Sequence, residues 1–144
     1  MNKSLNLMIL DDDNICNFIN TRIAQTSGFF KEIHSVFSGN DALANLDDVS
    51  KGTTEAPDII LLDLNMPVMN GFEFIDKVQH MKLPNKESVS IVILTSSDND
   101  VDKKNAASLG IRHYIQKPLT LKNLQSVVYS LNKTNDILSG NTGM

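Results

Sequence analysis

The chain has 144 residues, which is enough for one domain with a substantial core and leaves little room for a second. Its formal net charge of -4, without a Lys/Arg run, argues against nucleic acid or an anionic membrane as partner, because neither attracts an acidic protein. Cys16 is the only cysteine, so no intrachain disulfide can form and we expect a reducing compartment, the cytoplasm. The first apolar run, residues 5–10, is too short for a signal peptide or a membrane span.

The first third of the chain predicts two strands and two helices. Residues 5–10 predict the first strand, which ends on Asp11-Asp12-Asp13. Gly28 is expected to cap the C-terminus of the first helix. The helix itself is predicted by apolar residues at helical spacing, which are Ile15, Phe18, Ile19, Ile23 and Ala24. The second strand is expected mainly at 32–37, where interleaved polar residues indicate an edge position, and the second helix at 40–49.

The stretch from Asp58 to Gly71 predicts the central strand of the fold and the turn that follows it. Four consecutive apolar residues, 59–62, are too few for a helix and predict a short strand buried on both faces. Asp63 follows this strand directly, at the end where open parallel sheets bind ligands. Pro67 and Asn70-Gly71 predict a turn, and apolar residues at helical spacing follow it. Asp63 is therefore either a reacting carboxylate or a cap of this loop, and the stretch alone leaves both open.

The last third continues the alternation of strands and helices. A strand at 89–94 ends in Thr95-Ser96-Ser97, and a helix at 98–109 is stopped by Gly110. A fifth strand at 111–115 leads to Lys117-Pro118 and to a helix at 119–131, after which the chain is polar and small and predicts a frayed tail. Five βα units in a row predict an α/β fold with a parallel sheet and helices on both faces.

Polar residues stand at four of the predicted strand ends and should meet at one edge of the sheet. They are Asp11, Asp12, Asp13, Asp63, Thr95, Ser96 and Lys117. Each alone could be a helix cap or a surface charge, but the whole set is hard to explain by coincidence. Clustered carboxylates repel one another and need a proton or a cation, and an open, all-oxygen site suits Mg²⁺. A lysine and a hydroxyl would contact phosphate oxygens, and an aspartate could form an acyl phosphate, so the set suits phosphoryl transfer.

These strand ends carry four motifs that resemble the receiver domain of two-component response regulators. The motifs are Met8-Ile9-Leu10-Asp11-Asp12-Asp13, Leu61-Leu62-Asp63-Leu64-Asn65-Met66-Pro67 with Asn70-Gly71, Leu94-Thr95-Ser96, and Tyr114-Ile115-Gln116-Lys117-Pro118. The resemblance covers roughly residues 5–131. It implies a flavodoxin-like, doubly wound (βα)5 sheet with strand order 2-1-3-4-5, a receiver domain at 1–132, a tail at 133–144 and no output domain.

The resemblance also implies a role for each residue of the site. Asp63 would be the phosphoacceptor, and Asp11 and Asp12 the acidic pair, with Asp12 and the Asn65 backbone carbonyl as Mg²⁺ ligands beside Asp63. Thr95 and Lys117 would contact the phosphoryl group, and Tyr114 would be the switch residue that reports on Thr95, although it could equally be an aromatic packed on a strand. The small polar side chains of Asn65 and Ser97 are expected to set the lifetime of the phosphate. We expect Asp13 to cap the first helix and Lys117-Pro118 to be a cis bond.

The partners are implied by the same resemblance. A histidine kinase or a histidine phosphotransfer protein would supply the phosphoryl group, and the chain would catalyse only its own phosphorylation and dephosphorylation. The fourth helix, fifth strand and fifth helix would form the surface that changes on phosphorylation. That surface would bind a downstream protein or support a weak dimer, and we expect neither nucleic acid nor a membrane as partner.

Three other classes of protein compete with this interpretation. Haloacid-dehalogenase-like phosphatases also use an aspartyl phosphate and Mg²⁺, and Asp11-Asp12-Asp13 fits their first motif. However, these enzymes need an acidic motif after the lysine, and the only acidic residue after Lys117 is Asp136. They would also give Asp63 no role. A dinucleotide-binding domain needs a glycine-rich first turn, where this chain has aspartates. An inactive receiver that serves only as a docking module remains open.

Overall fold

The computed structural model describes residues 4–66, 68–96 and 100–131. Five parallel strands form one sheet in the order β2-β1-β3-β4-β5, which confirms the predicted topology. The strands are β1 (Leu5–Leu10), β2 (Phe30–Val36), β3 (Ile59–Asp63), β4 (Ser90–Thr95) and β5 (His113–Gln116); the α-helices are α1 (Asn14–Ser27), α2 (Gly39–Ser50), α3 (Gly71–Gln79), α4 (Asp100–Ser108) and α5 (Leu121–Ser130). Pro67, Ser97 and the predicted tail at 133–144 lie outside the described residues.

The sheet has a hydrophobic layer on each face, as a doubly wound fold requires. Successive residues of a strand point to opposite faces, so Leu7 and Ile9 pack toward α1 and α5 whereas Met8 and Leu10 pack toward α2, α3 and α4. The strands β1 and β3 are buried at every position, in keeping with their central place. The polar pattern of β2 correctly predicts an edge strand. None of the helices in the described part of the chain has the length and apolarity that a membrane crossing requires.

Only the last two residues of the apolar stripe that predicts α1, Ile23 and Ala24, lie on the face that α1 packs against the sheet. Ile15, Phe18 and Ile19 are 71%, 63% and 49% exposed, while Asn17 and Asn20 are buried beside Ala24. The reason lies at the strand ends, because the Asn17 Nδ2 donates to the Asp11 carbonyl at 3.1 Å and to the Val36 carbonyl at 3.0 Å. The Asp11 carbonyl follows β1 directly, and the Val36 carbonyl ends β2 and also accepts the Asp11 N–H at 3.2 Å. A buried carbonyl without a donor is costly. Hydrogen bonding therefore decides which face of α1 turns inward.

The fifth strand begins later than the predicted 111–115, because α4 ends in a cap that uses the intervening backbone. Gly110 has φ +83, its N–H donates to the Ala107 carbonyl at 2.9 Å, and the Ile111 N–H donates to the Ala106 carbonyl at 2.9 Å. These two bonds form a Schellman motif, in which glycine takes the left-handed position. Since the Ile111 N–H is committed to this cap, β5 starts at His113.

Candidate functional site

Three carboxylates meet at the carboxyl edge of the sheet. Asp11 and Asp12 follow β1, Asp63 ends β3, and one carboxylate oxygen of each lies within 4.8 Å of the others. Asp11 and Asp63 are buried, whereas Asp12 is exposed and leaves this side of the cluster open to water. Backbone amides orient the two buried groups: the Asp13 N–H donates to Asp11 Oδ1 at 2.9 Å and the Asn65 N–H to Asp63 Oδ1 at 3.2 Å.

Lys117 joins the carboxylates from the loop after β5. Its Nζ lies 3.4 Å from Asp63 Oδ1 and 3.7 Å from Asp11 Oδ2. Burial alone would lower the pKa of the Lys117 ammonium, but the charges of Asp63 and Asp11 outweigh this effect and raise the pKa. The Lys117 N–H donates to the Thr95 carbonyl at 2.7 Å, and the Lys117–Pro118 bond is cis as the sequence predicts. The ammonium is therefore held, charged, beside both buried carboxylates.

Thr95 and Tyr114 lie on the neighbouring strands β4 and β5, close to the carboxyl edge of the sheet. Thr95 is the last residue of β4, is fully buried, and pairs in register with Gln116. Tyr114 pairs with Ile93, two residues before Thr95, so the side chains of Thr95 and Tyr114 project from the same face of the sheet. The Tyr114 ring is half-buried, and the Lys103 Nζ lies 5.8 Å from its centroid. The predicted switch pair is thus on one face of neighbouring strands.

The residues of the cluster fit a bound Mg²⁺. Asp11 Oδ2 is buried and accepts no hydrogen bond from any described residue. Burial raises the pKa of Asp11, and the neighbouring charge of Asp63 raises it further. Among the described residues, three carboxylates face one ammonium in the cluster, so a cation would relieve their repulsion. Their all-oxygen donor set is the one that Mg²⁺ prefers.

The sequence matches the response regulator receiver domain family over residues 7–129. The chain belongs to that family. The crystal structure of a two-component response regulator from Cytophaga hutchinsonii is 35% identical and superposes with a TM-score of 0.80, covering 90% of this chain and 97% of that one. The probable methanogenesis regulatory protein FilR2 of Methanothrix harundinacea is 27% identical over 122 residues, which are 85% of this chain and 77% of that protein. A probable cyclic di-GMP phosphodiesterase of Vibrio cholerae is 32% identical over 127 residues, 86% of this chain but only 26% of that longer protein.

The acidic run of this receiver divides between the cluster and the first helix. The Asp13 side chain accepts the N–H groups of Ile15 and Cys16, both at 2.9 Å, and so caps α1 as predicted. These bonds to its carboxylate lower the pKa of Asp13, with the Cys16 N–H as the largest cause. Asp13 is not among the three clustered carboxylates. The run therefore supplies two residues to the cluster and one to the helix.

This division predicts different results for two alanine variants of the receiver. Asp12→Ala should weaken Mg²⁺ binding by roughly tenfold or more, because it removes the exposed carboxylate of the cluster. Asp13→Ala should lower the thermal unfolding midpoint and leave Mg²⁺ binding close to that of the unmodified chain, because it removes a helix cap. Calorimetric titration with Mg²⁺ and thermal melts of both variants would measure this. The register of the acidic pair would be wrong by one residue if the two results were exchanged.

Two features of the site are not evident from the sequence. Gly71 lies so close to the loop after β3 that a Cβ there would be 2.9 Å from Leu64 Cα and 3.2 Å from the Asp63 carbonyl oxygen. The start of α3 therefore packs on the segment that carries Asp63, a role beyond the turn that Asn70-Gly71 predicts. The second feature is a cleft of about 320 Å³ beside the cluster, which joins the exposed side of α1 to Lys117 and is lined by Cys16, Ile19, Asn20, Lys117, Pro118 and Leu119. Both depend on how helices pack against loops, which no local pattern encodes.

Proposed function

We propose that this receiver accepts a phosphoryl group on Asp63 from a histidine kinase or a histidine phosphotransfer protein, in a reaction that depends on Mg²⁺. The observation that carries the proposal is the Lys117 ammonium at 3.4 Å from Asp63 and 3.7 Å from Asp11, inside the acidic cluster. A half-buried lysine beside two buried carboxylates at the open edge of a parallel sheet is arranged for charge that develops there during a reaction.

The chemistry follows from the groups around Asp63. A carboxylate oxygen of Asp63 attacks the phosphorus, the bond from phosphorus to the donor's imidazole nitrogen breaks, and that nitrogen keeps the electron pair. Lys117 and the Thr95 hydroxyl each stabilise an oxygen of the transferring group. Asp12, Asp63 and the Asn65 carbonyl would hold Mg²⁺, with Asp11 beside them, and the bound ion supplies positive charge that the phosphate oxygens and the carboxylates share. Hydrolysis of the acyl phosphate returns Asp63 to its free form.

The competing functions find less support in the same geometry. A phosphatase of the haloacid dehalogenase type needs an acidic residue after the lysine, and residues 118–131 contain none. It would also leave Asp63 without a role, although Asp63 is one of the three clustered carboxylates. Asp63 does accept the Asn65 N–H as a loop cap would, but this bond occupies only one of its oxygens. An inactive docking module would share the fold and is distinguished by the experiment below.

Phosphorylation itself provides the test. The full chain is incubated with acetyl phosphate and Mg²⁺, and the intact mass is measured against a sample that contains EDTA. We expect one added phosphoryl group with Mg²⁺, removed by hydroxylamine as an acyl phosphate should be, and little or none with EDTA. If the chain stays unmodified with Mg²⁺ and any of several phosphodonors, it is a docking module and the proposed function fails.

The exposed apolar residues of α1 are proposed to receive the phosphohistidine donor. Ile15, Phe18 and Ile19 form a patch on the helix whose N-terminus adjoins the acidic run, and Ile19 also lines the cleft that reaches Lys117. Apolar patches of this kind on a soluble domain mark protein interfaces. A donor helix on this patch would bring its phosphohistidine toward Asp63.

Phe18→Ser should separate protein donors from small ones. The change should lower the specificity constant for transfer from a phosphohistidine protein by roughly tenfold, because an exposed aromatic side chain contributes strongly to an interface. Labelling by acetyl phosphate should stay within a factor of about two, because a small donor makes no use of the patch. Val101→Ser, which removes an apolar side chain of similar exposure on α4, is the matched control and should change neither rate. An equal loss of transfer rate with both donors would show that Phe18 supports the folded structure and does not contact the protein donor.

The signal is proposed to leave the site through Thr95 and Tyr114. When the phosphoryl group takes the Thr95 hydroxyl, Thr95 moves toward it and Tyr114 turns into the space that is left, which changes the surface of α4, β5 and α5. A downstream protein, or a second copy in a weak dimer, would bind the changed surface. Asn65, whose side chain is exposed, is proposed to tune hydrolysis together with Ser97, which lies outside the described residues. The cytoplasmic location and a receiver domain spanning 1–132 remain predictions.

A further inference from the structure

Asn17 is a buried residue of α1 whose side chain forms hydrogen bonds to the backbone of the acidic run. It is 1% exposed, and its Nδ2 donates to the Asp11 carbonyl at 3.1 Å and to the Val36 carbonyl at 3.0 Å. The Val36 carbonyl also accepts the Asp11 N–H at 3.2 Å, so it has a donor without Asn17. The two bonds of the Asn17 side chain therefore do more than satisfy buried carbonyls, because they fix the Asp11 backbone relative to β2.

The backbone of Asn17 makes a third bond to the same run. Its N–H donates to the Asp13 carbonyl at 2.9 Å, so Asn17 holds the carbonyls on both sides of Asp12. Any residue could make this backbone bond, but the bond to the Asp11 carbonyl needs a donor on the side chain. Asp12 is exposed, so the placement of its carboxylate depends mainly on the backbone that carries it. Rotation of the peptide between Asp11 and Asp12 would break the bond from the Asn17 side chain.

Two hydroxyl groups hold Asn17 on the side away from the cluster. Thr21 Oγ1 donates to the Asn17 carbonyl at 2.7 Å, and it lies 3.5 Å from Asn17 Oδ1 and 2.9 Å from Ser35 Oγ. The orientation of the Asn17 amide follows from its partners, because an exchange of its nitrogen and oxygen would place the oxygen against two carbonyl oxygens. The side chain of Asn17 is therefore fixed by α1 and β2, without any contribution from the carboxylates.

We propose that Asn17 is a positioning residue for the Mg²⁺ site, which holds the peptide between Asp11 and Asp12 so that the Asp12 carboxylate stays beside Asp63. The proposal rests on the proposed function in that it concerns the metal site of that reaction. One carboxylate oxygen of Asp12 lies within 4.8 Å of an oxygen of Asp11 and of Asp63, although Asp12 is exposed. Groups that orient metal ligands without touching the metal commonly determine how tightly it binds.

The alternative is that Asn17 only satisfies buried carbonyls and supports the fold. Asn6 offers a matched comparison, because it is also a buried asparagine, 5% exposed, with its Nδ2 bonded to Glu55 Oε2 at 2.8 Å and to the Ala56 carbonyl at 3.4 Å. It lies near the other end of β1 from the acidic cluster. A purely structural role predicts that loss of either amide lowers stability and leaves Mg²⁺ binding unchanged. A positioning role predicts weaker Mg²⁺ binding for Asn17 alone.

Titration of Asn17→Ala and Asn6→Ala with Mg²⁺ separates the two roles. In calorimetry without a phosphodonor, Asn17→Ala should bind Mg²⁺ roughly tenfold more weakly than the unmodified chain, and Asn6→Ala should stay within about twofold. Both variants should have a lower thermal unfolding midpoint, because each loses a buried, hydrogen-bonded amide. With acetyl phosphate, the phosphorylation rate of Asn17→Ala should recover as the Mg²⁺ concentration is raised. Such recovery is expected for a weakened metal site and not for a lost contact to the phosphoryl group.

A measurement on the unmodified chain keeps the test decisive if Asn17→Ala does not fold. The side-chain amide protons of Asn17 and Asn6 are followed by NMR hydrogen exchange with and without Mg²⁺. Bound Mg²⁺ should slow the exchange of the Asn17 protons severalfold, because the ion holds Asp12 and opposes opening of the peptide that Asn17 binds. Exchange of the Asn6 protons should not change.

Either of two results would overturn the proposal and make Asn17 a structural cap. One is Asn17→Ala binding Mg²⁺ as tightly as Asn6→Ala does, and the other is an exchange rate at Asn17 that responds to Mg²⁺ no more than that at Asn6. A chain that binds Mg²⁺ but is not phosphorylated would refute the proposed function alone, since Mg²⁺ binding is measured without a phosphodonor. An unmodified chain that binds no Mg²⁺ would overturn both proposals.

Discussion

Asp63→Asn should abolish phosphorylation of this receiver while leaving its fold intact. The amide is nearly the same size as the carboxylate, but it lacks the negative oxygen that attacks phosphorus, so no acyl phosphate can form. Asp63 Oδ1 lies 3.4 Å from the Lys117 Nζ, closer than Asp11 Oδ2 at 3.7 Å, and this favours Asp63 as the reacting carboxylate. With Mg²⁺ and acetyl phosphate, the intact mass of the variant should stay unchanged when the unmodified chain gains one phosphoryl group.

A control is needed because a variant that fails to fold would also fail to react. Asp58→Asn changes an aspartate immediately before the other end of β3, where its side chain accepts the Asn6 N–H at 2.8 Å and an amide oxygen can do the same. It should be phosphorylated like the unmodified chain. Circular dichroism should show Asp63→Asn to be folded, since the change removes one of three clustered negative charges. Phosphorylation of folded Asp63→Asn on Asp11 or Asp12 would show that the phosphoacceptor has been misassigned.

The composition of the cluster is predictable from the sequence, and its contacts are not. Parallel strands deliver their carboxyl ends to one edge, so placing Asp11, Asp63 and Lys117 together needs only the order of strands and helices. Which backbone N–H donates to which carboxylate oxygen depends on the conformation of the loops, and the pattern of strands does not determine that conformation. The Asn65 N–H on Asp63 and the Asp13 N–H on Asp11 are two such contacts.

The orientation of α1 shows where hydrophobic periodicity fails. Ile15, Phe18 and Ile19 have the spacing of a packed face, yet they are exposed because Asn17 turns inward to two carbonyls at the carboxyl ends of β1 and β2. Periodicity measures apolar burial and does not record unmet backbone hydrogen bonds. The exposed patch that results lies beside the proposed site of reaction, so the exception to the pattern coincides with the proposed donor interface. Deviations of this kind are expected where function competes with packing.

The acidic cluster is expected to lower the stability of the metal-free fold while it provides the Mg²⁺ site. Asp11 is the residue at which both effects can be measured. Burial raises the pKa of Asp11 above its ordinary value of 3.8, and the charge of Asp63 raises it further. The folded, metal-free chain therefore holds the Asp11 proton more tightly than the unfolded chain does. It follows that this group disfavours folding at neutral pH: stability from the protonated form is present below the unfolded pKa and is lost as pH rises through the folded pKa.

Asp11→Asn should therefore raise the thermal unfolding midpoint of the metal-free chain at pH 7 and weaken Mg²⁺ binding roughly ten- to hundredfold. The asparagine oxygen can still accept the Asp13 N–H, but it carries no charge to be buried or to attract a cation. The gain in midpoint over the unmodified chain should shrink as the pH is lowered toward 4, where Asp11 itself becomes protonated. Addition of Mg²⁺ should raise the midpoint of the unmodified chain, because the ion binds only the folded state, and should move the variant much less.

The control for this experiment is Asp13→Asn, which removes the same charge two residues away. Asparagine caps helices as well as aspartate does, and Asp13 is outside the cluster, so both the midpoint and Mg²⁺ binding should stay near those of the unmodified chain. Melts followed by circular dichroism in EDTA and in Mg²⁺, from pH 4 to 7, would measure all three proteins. A lower midpoint for metal-free Asp11→Asn at pH 7 would mean that its attraction to Lys117 outweighs its burial, and the cluster would then contribute to the fold rather than oppose it.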